Sequence, residues 1–174
     1  ISLQVIEGGT SQLQQMLETA ELDLAVIVRD FLPDELEARV ILREEMRVVV
    51  GREHPLAQQA AVSIDEFFQE ELVLFRKGYF HRKVVDRLAA EAGVKPLLGF
   101  ETNLIPLIKS IIKQGFGIST LLAMALENDP DLVDLPFAEP VWLDLCIAWR
   151  RDGYLSRANQ AFVDFLLEKP DLVL

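Results

Sequence analysis

The chain has 174 residues, 51% of them hydrophobic, and carries 28 Asp and Glu against 17 Lys and Arg for a net charge of −11. Such a composition fills a core and excludes a disordered chain. Its acidic balance disfavours this segment as a binder of nucleic-acid phosphates, because that binding draws its energy from Lys and Arg.

The longest apolar runs, such as LDLAVIV at 22–28, fall far short of the roughly 20 residues that cross a bilayer. The single Cys146 cannot form an intramolecular disulfide, which fits a reducing, cytoplasmic compartment. No basic n-region precedes a long apolar stretch at the start, so no secretory signal is read, and the opening ISLQV, without Met, reads as the middle of a longer chain.

In chain order, strand-like and helix-like segments alternate. ISLQVI reads as a strand, followed by a helix from about Ser11 with Leu13, Met16, Leu17 and Ala20 on one face, the spacing of an amphipathic helix. LDLAVIV is the continuous apolar run of a parallel strand buried on both faces, and MRVVV at 46–50 is a further strand. Ser63 and Glu66 in SIDEFF form a capping box. LVLF at 72–75 is a strand; a helix follows from about Phe80, with Val84, Val85, Leu88 and Ala92 inward and Gly93 as its stop.

LLGF at 97–100 leads into a helix whose apolar stripe is Leu104, Leu107, Ile108, Ile111 and Ile112, ended by Gly115. WLDLCIAW alternates as a strand, which makes Cys146 a buried small hydrophobe, and a last helix capped by Ser156 buries Ala158, Phe162, Phe165 and Leu166. Repeated strand then helix implies an α/β fold with mainly parallel sheets.

Motifs of catalysis are missing: no nucleophile elbow, P-loop, HExxH or helix-opening GxGxxG occurs. One Cys and two His are too few for a Cys/His metal site, so neither metal nor cofactor is expected. His54, beside Pro55 at a strand end, reads as a turn histidine. Small polar groups instead gather where strands give way to helices: Thr10 and Ser11, Gly78 and Tyr79, Thr102 and Asn103. In an open parallel sheet such places line a ligand crevice. Thr10, Ser11 and Asn103 equally read as helix caps. The one run of positive charge, VLFRKGYFHRK at 73–83, lies at the second of these places.

Taken in order, ISLQVIEGGTSQLQQMLETAELDLAVIV, LREEMRVVVGREHPLA, VSIDEFFQEELVLF, ETNLIPLIKSIIKQGFGIS and LDLCIAWRRDGYLSRANQAFVDFL resemble the effector-binding domain of LysR-type transcriptional regulators over essentially the whole chain. The resemblance implies a two-lobed, type II periplasmic-binding-protein-like fold with an effector in the cleft between the lobes. One lobe would be residues 1–50 plus 141–174 and the other 51–140, with MRVVVGREHP and PVWLDLCIAW as crossover strands. It implies effector contacts from Thr10, Ser11 and Arg29, from Arg76, Gly78, Tyr79 and Arg82, and from Thr102 and Asn103. The family's amino-terminal winged helix-turn-helix is not in this sequence, nor is the strand and helix with which the domain normally opens, so DNA binding is implied for the parent protein only.

The reading is therefore a sensor, not an enzyme: a small effector, anionic because the basic run and helix amino termini favour a carboxylate, biases a homodimer or homotetramer that presents DNA-binding domains outside this segment. A solute-binding protein of a transport system shares the fold and is the alternative; an enzyme on the same scaffold, deaminase-like or a transferase, comes third.

Overall fold

A computed structural model of the chain describes residues 3–126 and 129–168. Its helices are α1 (Thr10–Glu18), α2 (Ile64–Gln69), α3 (Phe80–Ala92), α4 (Ile105–Lys113) and α5 (Arg157–Glu168). Its strands are β1 (Ala25–Val28), β2 (Leu36–Gly51), β3 (Glu71–Leu74), β4 (Leu97–Glu101), β5 (Ser119–Leu122), β6 (Leu132–Leu135) and β7 (Val141–Arg150). The chain divides into two compact units, residues 1–44 with 143–174 and residues 45–142. The divisions fall within β2 and β7, so both strands belong to both units.

In the first unit β1 pairs antiparallel with β7, Ala25 opposite Ala148 and Val28 opposite Leu145. Side chains alternate across β1. Ala25 and Ile27 pack with Leu17 of α1, Leu36 and Ala148, whereas Leu24 and Val26 join Ile41, Ile147, Val163 and Leu166 on the side of α5. LDLAVIV is thus buried on both faces as expected, but its partner runs antiparallel, because β7 returns through the chain as a long strand. The expected strand ISLQVI does not form: Ile1 and Ser2 lie outside the described residues, and residues 3–9 are not in a sheet. A strand exists through its neighbour's hydrogen bonds; among the described residues none pairs there, and Leu3 and Val5 are exposed.

In the second unit β3 is the centre. It pairs parallel with β4, Glu71 opposite Leu97 and Leu74 opposite Glu101, and Ile118 bridges to Leu72 on its other side, also parallel. Leu72 and Leu74 face Phe67 and Phe68 of α2 and Val85 and Ala89 of α3. Val73 and Phe75 face Ile108 and Ile112 of α4. Each such side chain contributes about 1.5–3 kcal/mol when fully buried. β2 pairs antiparallel with β5 and β6; parallel pairing among the described residues occurs at β3 with its neighbours and at a bridge between Val62 and Phe137.

Local signals behave as the chemistry demands. Ser63 Oγ accepts from the Glu66 amide and the Glu66 carboxylate accepts from the Ser63 amide, completing the capping box. Gly93 ends α3 in the left-handed region at φ 67°, and Ser156 Oγ accepts from the Asn159 amide at the start of α5. Faces are less well foreseen. On α1 Leu17 is buried but Ala20 is exposed at φ 60° beyond the helix end. On α3 Ala89 is buried and Ala92 exposed; on α4 Ile108 and Ile112 are buried, while Leu104 and Leu107 are exposed; on α5 Val163 and Leu166 are buried and Ala158 and Phe165 exposed.

Gly115 and Gly117 precede β5 at φ 78° and 122°. A Cβ on Gly115 would meet open space, whereas one on Gly117 would stand 2.5 Å from the Glu71 carbonyl oxygen. Gly115→Ala is expected to cost the ~1–2 kcal/mol of a left-handed alanine, and Gly117→Ala clearly more, since backbone must shift as well. Urea unfolding of both variants checks the order; equal midpoints would contradict it.

His81 is buried in the first turn of α3, its ring stacked on Phe75 and on Phe80 at 3.9 Å each, and its Nδ1 has no hydrogen-bond partner. Burial pulls its pKa down from 6.5 to about 3. Because the folded state refuses a proton that the unfolded chain takes up, stability falls as pH drops from about 6.5 toward 3. His81→Phe is expected to flatten that decline in unfolding free energy; an unchanged slope would contradict it.

Candidate functional site

Apolar β3 carries its run through Phe75, after which the chain turns through Arg76, Lys77, Gly78 and Tyr79 into α3. Gly78 takes φ 96°, a conformation that glycine adopts without strain, and the Tyr79 amide donates to the Arg76 carbonyl at 3.3 Å. Beyond β4 the Thr102 amide donates to the Leu74 carbonyl at 3.0 Å. That bond continues the strand pair and sets Thr102 and Asn103 beside the turn. Asn103 Nδ2 then donates to Tyr79 Oη at 2.9 Å, and Tyr79 lies against Phe75.

Arg82 and Arg76 differ in what surrounds them. The Arg82 side chain is only 12% exposed. Its Nε donates to Asp86 at 2.9 Å, and its Nη1 to Glu101 at 2.7 Å and to the Phe75 carbonyl at 3.3 Å. Burial alone would lower its pKa; hydrogen bonds and charges of Asp86 and Glu101 outweigh that and raise it. Arg76 and Lys77 are exposed, and Arg76 has no ion pair among the described residues. Six of the nine expected site residues, Arg76, Gly78, Tyr79, Arg82, Thr102 and Asn103, are therefore gathered at the carboxyl ends of β3 and β4.

Thr10, Ser11 and Arg29 belong to the first unit. Gly9, not a hydroxyl residue, takes the cap position of α1 without a side-chain bond. Thr10 is buried and Ser11 exposed in the first turn, and Gln14 Nε2 donates to the Phe31 carbonyl in the 3-10 turn that Arg29 opens. The helix-cap reading fails for Thr10 and Ser11, which sit inside α1. It fails also for Asn103: Leu104 is the α4 cap residue, and Thr102 Oγ1 accepts from its amide at 3.3 Å.

Asp86 and Glu101 were not foreseen. Asp86 could have been, from its four-residue spacing to Arg82 on one helix face; Glu101, on another element, leaves no local signal. His54 Nδ1 accepts from the Leu56 amide at 3.2 Å and caps the 3-10 turn at Pro55–Gln58, the turn role expected of it. Cys146 is buried, and that burial raises its thiol pKa to about 11, far from a reactive thiolate.

Residues 1–171 match the family model of the LysR substrate binding domain. The chain is 28% identical over 169 residues to the uncharacterized HTH-type transcriptional regulator YwbI of Bacillus subtilis (strain 168), covering 94% of this chain and 56% of that protein. It is 27% identical over 146 residues to a probable nitrogen assimilation transcriptional activator of Synechococcus elongatus, covering 80% of this chain and 47% of that protein. It thus spans about half the length of these curated relatives.

Among solved structures, the CcmR regulatory domain of Synechocystis PCC6803 in complex with 2-PG matches with a TM-score of 0.84 at 25% identity, over 95% of this chain and 81% of that one. The effector binding domain of QuiR in complex with shikimate matches with a TM-score of 0.81 at 23% identity, over 94% and 79%. The fold is the α/β, periplasmic-binding-protein-like one to which the resemblance pointed. On the match of residues 1–171, with the ordered segments and the gathered strand ends behind it, the chain belongs to the LysR substrate-binding domain family.

Proposed function

We propose that this domain binds a small anionic effector, a carboxylate, at the carboxyl ends of β3 and β4, with Arg76 as its counter-ion. Gly78, Tyr79, Thr102 and Asn103 supply its hydrogen bonds, and Thr10, Ser11 and Arg29 are the effector contacts of the first unit. The observation that carries this reading is Arg76, a guanidinium exposed beside converging polar groups and without a carboxylate partner among the described residues. The 2-PG of the CcmR complex, 2-phosphoglycolate, is itself an anion, which supports it.

In this reading the two units are the lobes of the fold, and the effector acts by preferring one of their arrangements over another. The parent regulator is cytoplasmic, works without catalysis, and contacts DNA through a domain outside this segment. Membership in a family of regulators favours this over a solute-binding protein of a transport system.

The same reading makes the domain a homodimer. Leu97, Leu98 and Phe100 of β4 and Leu104, Leu107 and Phe116 at α4 are large, apolar and exposed, and the Phe100 and Phe116 rings lie 6.3 Å apart. Apolar surface gathered in this way marks an interaction site more often than open solvent.

A thermal-shift panel of organic anions, amino acids and neutral metabolites tests effector class, since a ligand at 100 times its Kd adds about 2.7 kcal/mol. Anions are expected to raise Tm, and Arg76→Ala to weaken the best of them about tenfold or more, the worth of one charge-assisted hydrogen bond. Shifts from neutral compounds alone would overturn the charge argument. In sedimentation velocity the chain is expected as a dimer that Leu107→Glu converts to monomer; a wild-type monomer at high concentration would contradict the pairing.

A further inference from the structure

We propose that Arg82 is a positioning residue of the effector site, not a counter-ion of the effector. The inference rests on the site proposed above and reassigns the second cation of the run VLFRKGYFHRK. Three acceptors from three elements converge on this one guanidinium: Asp86 from α3, Glu101 from the end of β4, and the Phe75 carbonyl where β3 gives way to the turn. The guanidinium meets these acceptors from donors fixed on two separate nitrogens, Nε and Nη1, whereas the three donors of a lysine ammonium all leave one atom on a flexible stem.

The consequence is geometric. The turn that carries Arg76, Gly78 and Tyr79 begins at Phe75, and the segment that carries Thr102 and Asn103 begins at Glu101. Arg82 ties both starting points to the first turns of α3, and the bond from Asn103 to Tyr79 at 2.9 Å closes the other end of the same frame. Electrostatics agree: two carboxylates surround one guanidinium, so an anion arriving at Arg82 meets more negative charge than positive. Among the described residues, Arg76 and Lys77, exposed on the turn, have no such screen.

Two variants separate a positioning role from a contact role, because the two give opposite signs. Glu101→Gln frees Arg82 of one carboxylate. A counter-ion would then hold an anion more tightly, whereas a positioning residue loses part of its frame, and binding of 2-phosphoglycolate, the probe, is expected to weaken roughly three- to tenfold. Tighter binding would overturn the proposal.

Arg82→Lys keeps the charge and loses the fork. Amide hydrogen exchange in residues 76–80 and 102–103 is expected to accelerate roughly tenfold or more, with amides of Ile112 and Leu121 in the core unchanged, because the loss opens a local unit and not the whole fold. Uniform acceleration, or none, would overturn the proposal. The exchange measurement needs no ligand, so failure of 2-phosphoglycolate to bind the wild-type chain would count against that effector class and leave Arg82 to be judged by exchange alone.

Discussion

Burial of β3 on both faces is the constraint on which the rest of the second unit depends. Leu72 and Leu74 require α2 and α3 on one side, and Val73 and Phe75 require α4 on the other. A strand satisfied in this way cannot slip in register, since a shift of one residue would exchange the two sets of side chains. Its backbone is equally committed: to β4 on one edge, and to Ile118 and the Ser119 hydroxyl on the other. Where the strand ends, those commitments end too. Polar groups of the turn after Phe75 and of the segment after Glu101 are held beside one another by a core that they do not enter.

Charge follows the same division between committed and available groups. Two other cations of the second unit are engaged, Arg47 with Glu45 and Asp134 and Lys113 with Asp129. These pairs are partly buried, with side chains 13–45% exposed, and they neutralise local positive charge in an acidic protein. Arg82 belongs to this engaged class. Arg76 has no ion pair among the described residues, and on the proposed reading that difference, more than the length of the basic run, separates a counter-ion from a positioning residue.

How much was legible in the sequence depended on the distance over which each feature is encoded. The capping box of Ser63 and Glu66, the left-handed stop at Gly93, the Ser156 cap and the apolar run of β3 are set by neighbours within four residues, and all were read correctly. β2 was seen only in its last third. Its earlier part, LEARVILREE, has its charged side chains largely in solvent, so no apolar alternation announces a strand. The stripe on α4 was read too wide, because Leu104 and Leu107 have the periodicity of a core face but nothing within the chain to cover them. Glu101 meets Arg82 across 19 positions, a pairing that only the parallel register of β3 and β4 creates. Six of the expected site residues could be placed together because the turn after each strand is a local feature; the proposed division of Arg76 and Arg82 into counter-ion and clamp could not be read there.

The central claim, that an anion is received at the carboxyl ends of β3 and β4, is most directly tested by backbone chemical-shift mapping of the labelled chain during titration with 2-phosphoglycolate and with simple carboxylates. The account predicts that the amides of Arg76, Lys77, Gly78, Tyr79, Thr102 and Asn103 move first and saturate together. Saturable shifts confined to residues of the second unit remote from these strand ends, such as Arg87, Glu91 and Trp142, with the strand ends unmoved, would contradict it.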